Sequence, residues 1–145
     1  MPAWAKVLLA IGCGAVLLLV VIGVAGYFFI NSHKDQWIAD ARKANDEGSA
    51  FGQGKSSNDC IDESLARLRA SKGILGEARI RVFLKGCLDV APPSPQMCEG
   101  VPPRSEIIRS ATWSLHECAQ RGMAGSQPCT RVIAELQERC RKKPL

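Results

Sequence analysis

Val7–Ile30 reads VLLAIGCGAVLLLVVIGVAGYFFI, 24 residues without a charge. At about 1.5 Å of rise per residue a helix of this length reaches roughly 36 Å, enough to cross a hydrocarbon core. A core helix of a soluble domain has no need of that reach. Trp4 stands at one edge of the stretch and Tyr27, Phe28 and Phe29 at the other, where amphipathic or bulky rings favour the membrane interface. The stretch predicts a transmembrane helix over residues 7–30 that partners the lipid bilayer, with residues 1–6 left before it.

Flanking charge sets the orientation. Lys6 and the amino terminus precede the span, whereas Lys34, Arg42 and Lys43 follow it among Asp35, Asp40, Asp46 and Glu47. The bias of basic residues is small, and cysteine usage adds to it. Six of the seven cysteines (Cys60, Cys87, Cys98, Cys118, Cys129, Cys140) lie beyond the span, and disulfides persist on the oxidising side of a membrane. Both signals predict a cytoplasmic N-terminus and an extracytoplasmic C-terminal part, with a bacterial inner membrane facing the periplasm as the expected setting.

The expected anchor is uncleaved. Val24-Ala25-Gly26 offers small residues to a signal peptidase, but the apolar run continues to Ile30 and exceeds the roughly 7 to 15 residues of a signal h-region. Ala10-Ile11-Gly12-Cys13 is a poor lipobox. Cys13 is therefore read as a small apolar residue. Ala10 and Gly14 form a small-xxx-small spacing that offers a homodimer through the span.

With the span subtracted, a chain of 145 residues leaves room for one domain. Residues 31–47 lack Gly and Pro and read as a helical stalk. Gly48 reads as its stop, and residues 48–57, with Gly48, Gly52, Gly54, Ser49, Ser56 and Ser57, as a flexible linker. The domain is expected over residues 58–145. Asp59 reads as the cap of a helix carrying Ile61, Leu65 and Leu68, which Gly73 ends. A second helix carries Ile80, Phe83, Leu84, Cys87 and Leu88. The prolines of Ala91–Pro95 and Val101–Pro103 then leave Cys98 in an extended loop.

A third helix, from Pro103 or Ser105 to Arg121, is expected to bury Ile107, Ala111, Leu115 and Cys118, with Ile108 beside them. After Gly122 and Gly125, Ser126 reads as the cap of a fourth, which carries Cys129, Val132, Ile133, Leu136 and Cys140. The fold class is all-α: one N-terminal transmembrane helix and a disulfide-stapled domain of two helical hairpins.

Six cysteines allow fifteen pairings, and antiparallel hairpins select among them by symmetry about their turns. Cys60 and Cys87 are equidistant from the Gly73–Ile74 turn, and Cys118 and Cys129 from the Met123–Ala124 turn. That leaves Cys98 with Cys140. The spacing Cys118-x10-Cys129-x10-Cys140 is similar to the twin CX9C helical hairpins of the mitochondrial intermembrane space, over one hairpin only. It departs from them in spacing and in the loop position of Cys98, and assigns no functional residue. Each bridge is expected to contribute on the order of 3 to 4 kcal/mol in the chain-entropy model. Zinc sites use close cysteine pairs, and this chain has none, nor a C-x-x-C redox or C-x-x-C-H haem motif.

Two surfaces are candidates for binding. Arg67, Arg69, Lys72, Arg79, Arg81 and Lys85 face a single acid, Glu77, between residues 67 and 85. They suit an anionic envelope component or an acidic envelope protein. Nucleic acid is disfavoured by the compartment. On the third helix Arg109, Trp113 and His116 form a candidate protein contact. The only histidines are His33 and His116, and no nucleophile–base set, phosphate loop or cofactor motif can be assembled. The expectation is a non-enzymatic, membrane-tethered interaction or structural module. A thiol-disulfide relay through Cys98 and an accessory subunit of a larger membrane complex are the alternatives.

Overall fold

The computed structural model describes residues 3–92 and 95–142. Its elements are α1 (Ala3–Gly52), α2 (Ser57–Ala70), α3 (Gly73–Val90), the single turn α4 (Pro95–Cys98), α5 (Ile107–Gln120) and α6 (Gln127–Lys142). Among the described residues there is no strand. Contacts divide the chain into two units, Met1–Ala39 and Asp40–Leu145.

Among the described residues, the first unit is a helix with no buried side chain. Val16, Leu17, Leu18 and Leu19 step around a full turn, and each is between 60 and 67% exposed. An 18-residue stretch of α1 has a mean hydropathy of 2.6, and the helix is long and apolar enough to cross a membrane. From the end of the apolar run onward, Phe29, His33 and Trp37 stack at four-residue spacing, with ring centroids 4.5 and 6.0 Å apart. The expected dimer spacing involves Ala10, whose side chain, like that of Lys6, lies outside the described residues.

The second unit is built around α6. Cys129, Val132, Ile133 and Leu136 on that helix meet Cys60, Ile61, Leu65 and Leu68 of α2, Ile80, Leu84, Cys87 and Leu88 of α3, and Cys118 of α5 in one buried cluster. Three ion pairs tie α3 to α6 in the same order along both: Glu77–Arg131, Arg81–Glu135 and Asp89–Arg139. The two helices therefore run parallel. α2 and α5 complete the two hairpins. Cys60–Cys87, Cys98–Cys140 and Cys118–Cys129 are bonded, the pairing that symmetry about the turns selects.

Several local expectations are corrected. Gly48 does not stop a helix; α1 continues to Gly52, and only the short segment after it, with Gly54 at φ 70°, breaks the chain before α2. The reason is close packing on α3. A Cβ on Gly48 would stand 2.1 Å from the Phe83 carbonyl oxygen, one on Gly52 2.5 Å from that of Cys87, and one on Gly86 2.4 Å from that of Asn45. These glycines admit backbone to backbone. The cap of α2 is Ser56, in a capping box with Asp59: the Asp59 N–H donates to Ser56 Oγ at 3.2 Å and the Ser56 N–H to Asp59 Oδ2 at 2.8 Å. Cys98 lies in the helical turn α4 instead of an extended loop; Pro93 and Ser94, in the proline-rich stretch before it, are outside the described residues.

The third helix begins at Ile107 and buries a different face from the expected one. Ser114 and Cys118 are its buried residues, while Ile107, Ile108, Ala111 and Leu115 are exposed. The Cys118–Cys129 bond aims the helix, and Ser114 and Ser110 lie four and eight residues before Cys118 on the same face. Buried Gln137 of α6 completes this contact, bonded to the Ser110 hydroxyl and, through Nε2 at 3.1 Å, to the Pro102 carbonyl. Small hydroxyl residues let α5 approach α6 and keep its polar groups satisfied.

Candidate functional site

The six cations of the first hairpin do not form one patch. Arg67 lies with its guanidinium 3.9 Å from the centroid of the Phe83 ring and its Nε 2.8 Å from Glu63. Its Nη1 is 3.4 Å from Glu47 of α1, so it fastens α1 and α2 over Phe83. Arg79 pairs with Asp40 at 3.6 Å. Arg81 pairs with Glu135 at 2.5 Å, and Lys85 lines a small groove with Asp89, Glu135, Glu138 and Arg139. Carboxylates thus offset much of the positive stripe. Glu77, its single acid, is buried and bonded to Arg131 at 2.6 and 2.8 Å. That contact holds its carboxyl below the ordinary carboxylate range, against the opposing effect of burial.

Two cations of the set differ. Lys72 is exposed at the N-cap position of α3, where no side chain caps the helix, and among the described residues it has no ion-pair partner. Arg69 is exposed and donates to the Arg121 carbonyl oxygen at 2.5 Å, and among the described residues its charge has no carboxylate partner. Both flank the turn between α2 and α3. The next two side chains, Ile74 and Leu75, are 83 and 70% exposed.

On α5 the structure brings Arg109, Trp113 and His116 to one shallow depression of 350 Å³, with Gly100, Pro102, Ile108 and Thr112. Trp113 is half-buried and also packs on the core cluster. Arg109 is held by Glu106 at 2.6 Å, and the His116 ring lies 2.9 Å from the Gln120 amide nitrogen. Among the described residues no group of three or more His, Cys, Asp or Glu side chains could hold a metal.

The disulfides also differ in access. Cys60, Cys87, Cys118 and Cys129 are fully buried. Cys98 and Cys140 are only half-buried, and both line a surface groove with Val101, Pro102, Pro103, Arg104, Gln137 and Arg141.

No family model, no curated protein and no solved structure matches this chain. Its function is argued from its own residues.

The exposed aliphatic pair at the α2–α3 turn was not singled out from the sequence, although periodicity holds a signal for it. The α3 stripe of Ile80, Leu84 and Leu88, carried back seven residues (two turns) from Ile80, lands on Gly73. Ile74 and Leu75 fall off that stripe. Adjacent apolar residues off the stripe of an amphipathic helix are a candidate contact surface.

Proposed function

We propose that this chain is an uncleaved, signal-anchored, single-pass protein of a bacterial inner membrane, with its N-terminus in the cytoplasm and residues 40–145 on the periplasmic face. There the domain serves as a non-enzymatic interaction or structural module for an envelope protein or an anionic envelope component. One observation carries the reading: a helix apolar on every side shares a chain with a domain closed by three disulfides. The first needs lipid and the second an oxidising compartment, which together favour an anchor with its domain outside. The test uses spheroplasts of cells making the full chain. Externally added protease is expected to digest the domain, alkaline carbonate to leave the span in the membrane, and maleimide to tag the six domain cysteines only after reduction. A domain protected until lysis, or a chain released by carbonate, would overturn the reading.

A second reading, thiol-disulfide exchange at Cys98–Cys140, is favoured by the partial exposure of that bond alone. It requires Cys98–Cys140 to open at a reductant concentration that leaves the buried pairs intact. Mass-spectrometric mapping across a reductant series decides it, and loss of all three bonds together removes it.

A further inference from the structure

Several observations concern one end of the second unit. The α2–α3 turn and the α5–α6 turn meet there: Arg69 reaches the Arg121 carbonyl, and Leu68, Ser71 and Ile74 line one groove with Met123, Ser126 and Pro128. The segment of α1 within this unit enters at the same end. Asp40 pairs with Arg79, five residues along α3 from Ile74, whereas Asn45 meets Gly86 and Gly52 meets Cys87 and Val90. Asp40–Gly52 therefore runs parallel to α3, and Asp40 lies about 8 Å along the helix axis from Ile74. The end opposite carries Val90 and the Cys60–Cys87 bridge.

The entry end is the one the tether holds. Nine residues separate Ile30 from Asp40, and even fully extended they span no more than about 36 Å. Phe29, His33 and Trp37 carry an aromatic stack along this short segment, and Trp favours the headgroup layer. So short a tether keeps the α2–α3 turn at high effective concentration beside the bilayer. What the turn offers is chemically matched to that surface: two exposed aliphatic side chains, Ile74 and Leu75, just after two cations, Arg69 and Lys72, that have no carboxylate partner among the described residues. The first turn of α3 lacks a side-chain cap, and phosphate is a favourable neighbour for free N–H groups at a helix N-terminus. A patch built on two aliphatic side chains is small beside the roughly 800 Å² per partner of a stable protein interface. It suits an interfacial contact that a tether reinforces.

We propose that the α2–α3 turn docks onto the bilayer that holds the span, with Ile74 and Leu75 inserted at the headgroup boundary and Arg69 and Lys72 on anionic lipid headgroups. The proposal rests on the tethered-module reading, and the native Cys13 thiol separates the two in one experiment. The full chain is reconstituted into vesicles of phosphatidylcholine alone or of equal parts phosphatidylcholine and phosphatidylglycerol. A nitroxide is placed on Cys13 in the natural sequence, or on L75C in a C13A background, and its access to oxygen and to an aqueous nickel chelate is measured.

The Cys13 label is expected inside the bilayer in both lipids. The residue-75 label is expected to lose nickel access several-fold in the anionic vesicles relative to pure phosphatidylcholine, and K72E is expected to return it to water. Lys72 and Leu75 are exposed, so neither substitution disturbs the core, which intact disulfides and an unchanged helical circular dichroism spectrum verify. Equal access of the residue-75 label in the two vesicles, with Cys13 embedded, overturns the docking and leaves the turn to a protein partner. A water-exposed Cys13 label overturns the tether and the docking with it.

Discussion

The glycines of α1 fall into two sets that differ in their surroundings alone. Gly12, Gly14, Gly23 and Gly26 sit in the apolar run, and a Cβ added to any of them meets nothing within 4 Å. Gly48 and Gly52, in the same helix, lie against the backbone of α3 so closely that a Cβ would overlap a carbonyl oxygen. A glycine costs a helix roughly 1 kcal/mol relative to alanine wherever it stands. In the second set that cost is offset by a helix–helix approach that no other residue permits, and a stretch that reads as a flexible linker becomes a packed interface.

The comparison is tested most sharply by the sign of a single substitution. Helix propensity says that Gly48→Ala stabilises, as it does for Gly23→Ala. Packing says the opposite at Gly48, because the new methyl overlaps the Phe83 carbonyl. We expect Gly48→Ala to destabilise the domain by about 2 kcal/mol and Gly23→Ala to leave its unfolding unchanged, both read by near-ultraviolet circular dichroism on heating in detergent. A Gly48→Ala protein as stable as the natural one would mean that α1 and α3 are not in contact.

A smaller effect separates the ion pairs that join α3 to α6 from ordinary surface charge. Glu77 is buried and its carboxyl is held low, first by its hydrogen bonds to Arg131. Its unfolded value is about 4.3. A lowered folded value means that its contribution to stability is complete above the unfolded value and is lost as pH falls through the folded one. Glu77→Gln should therefore cost stability at neutral pH and flatten the decline below about pH 4.3. Half of the Arg131 side chain is in water, and screening limits the loss to about 1 kcal/mol. Chemical denaturation at a series of pH values checks both the size and the slope; parallel curves for the two proteins would rule the pair out as a contributor.

The same contrast between a side chain and its surroundings explains what was legible in the sequence. The span needs only composition, and its 24 uncharged residues declare it. The hairpins follow from apolar spacing and glycine turns, and the bridges follow from the hairpins by symmetry. Contacts that depend on a distant partner were not legible. Gly48 and Gly52 carry a breaker's signal until α3 is placed beside them, and Ser56 and Asp59 both have the chemistry of a cap. The candidate surfaces were legible as residue types alone. Arg67 and Arg81 look like free cations in sequence, and the acids that occupy them, Glu63 and Glu47 for one and Glu135 for the other, come partly from other helices.

The smallest expected effect concerns α5, where spacing and burial disagree. Ile107, Ala111 and Leu115 have helical spacing and an apolar character that nominate them for the core, yet Ser110 and Ser114 lie on the side that faces α6. Hydrophobicity alone would charge Ile108→Ser with the loss of a buried side chain. Ile108 is 83% exposed, so we expect its replacement to shift stability by no more than about 0.5 kcal/mol. Ser114→Leu, by contrast, should separate α5 from α6 and lower the melting temperature. If Ile108→Ser proved the more damaging of the two, α5 would be turned with its isoleucines inward, and Cys118 would have to reach Cys129 from the other side of the helix. Mutational tolerance at residue 108 therefore reports on the same geometry that the Cys118–Cys129 bond imposes, by a measurement that does not involve the sulfurs.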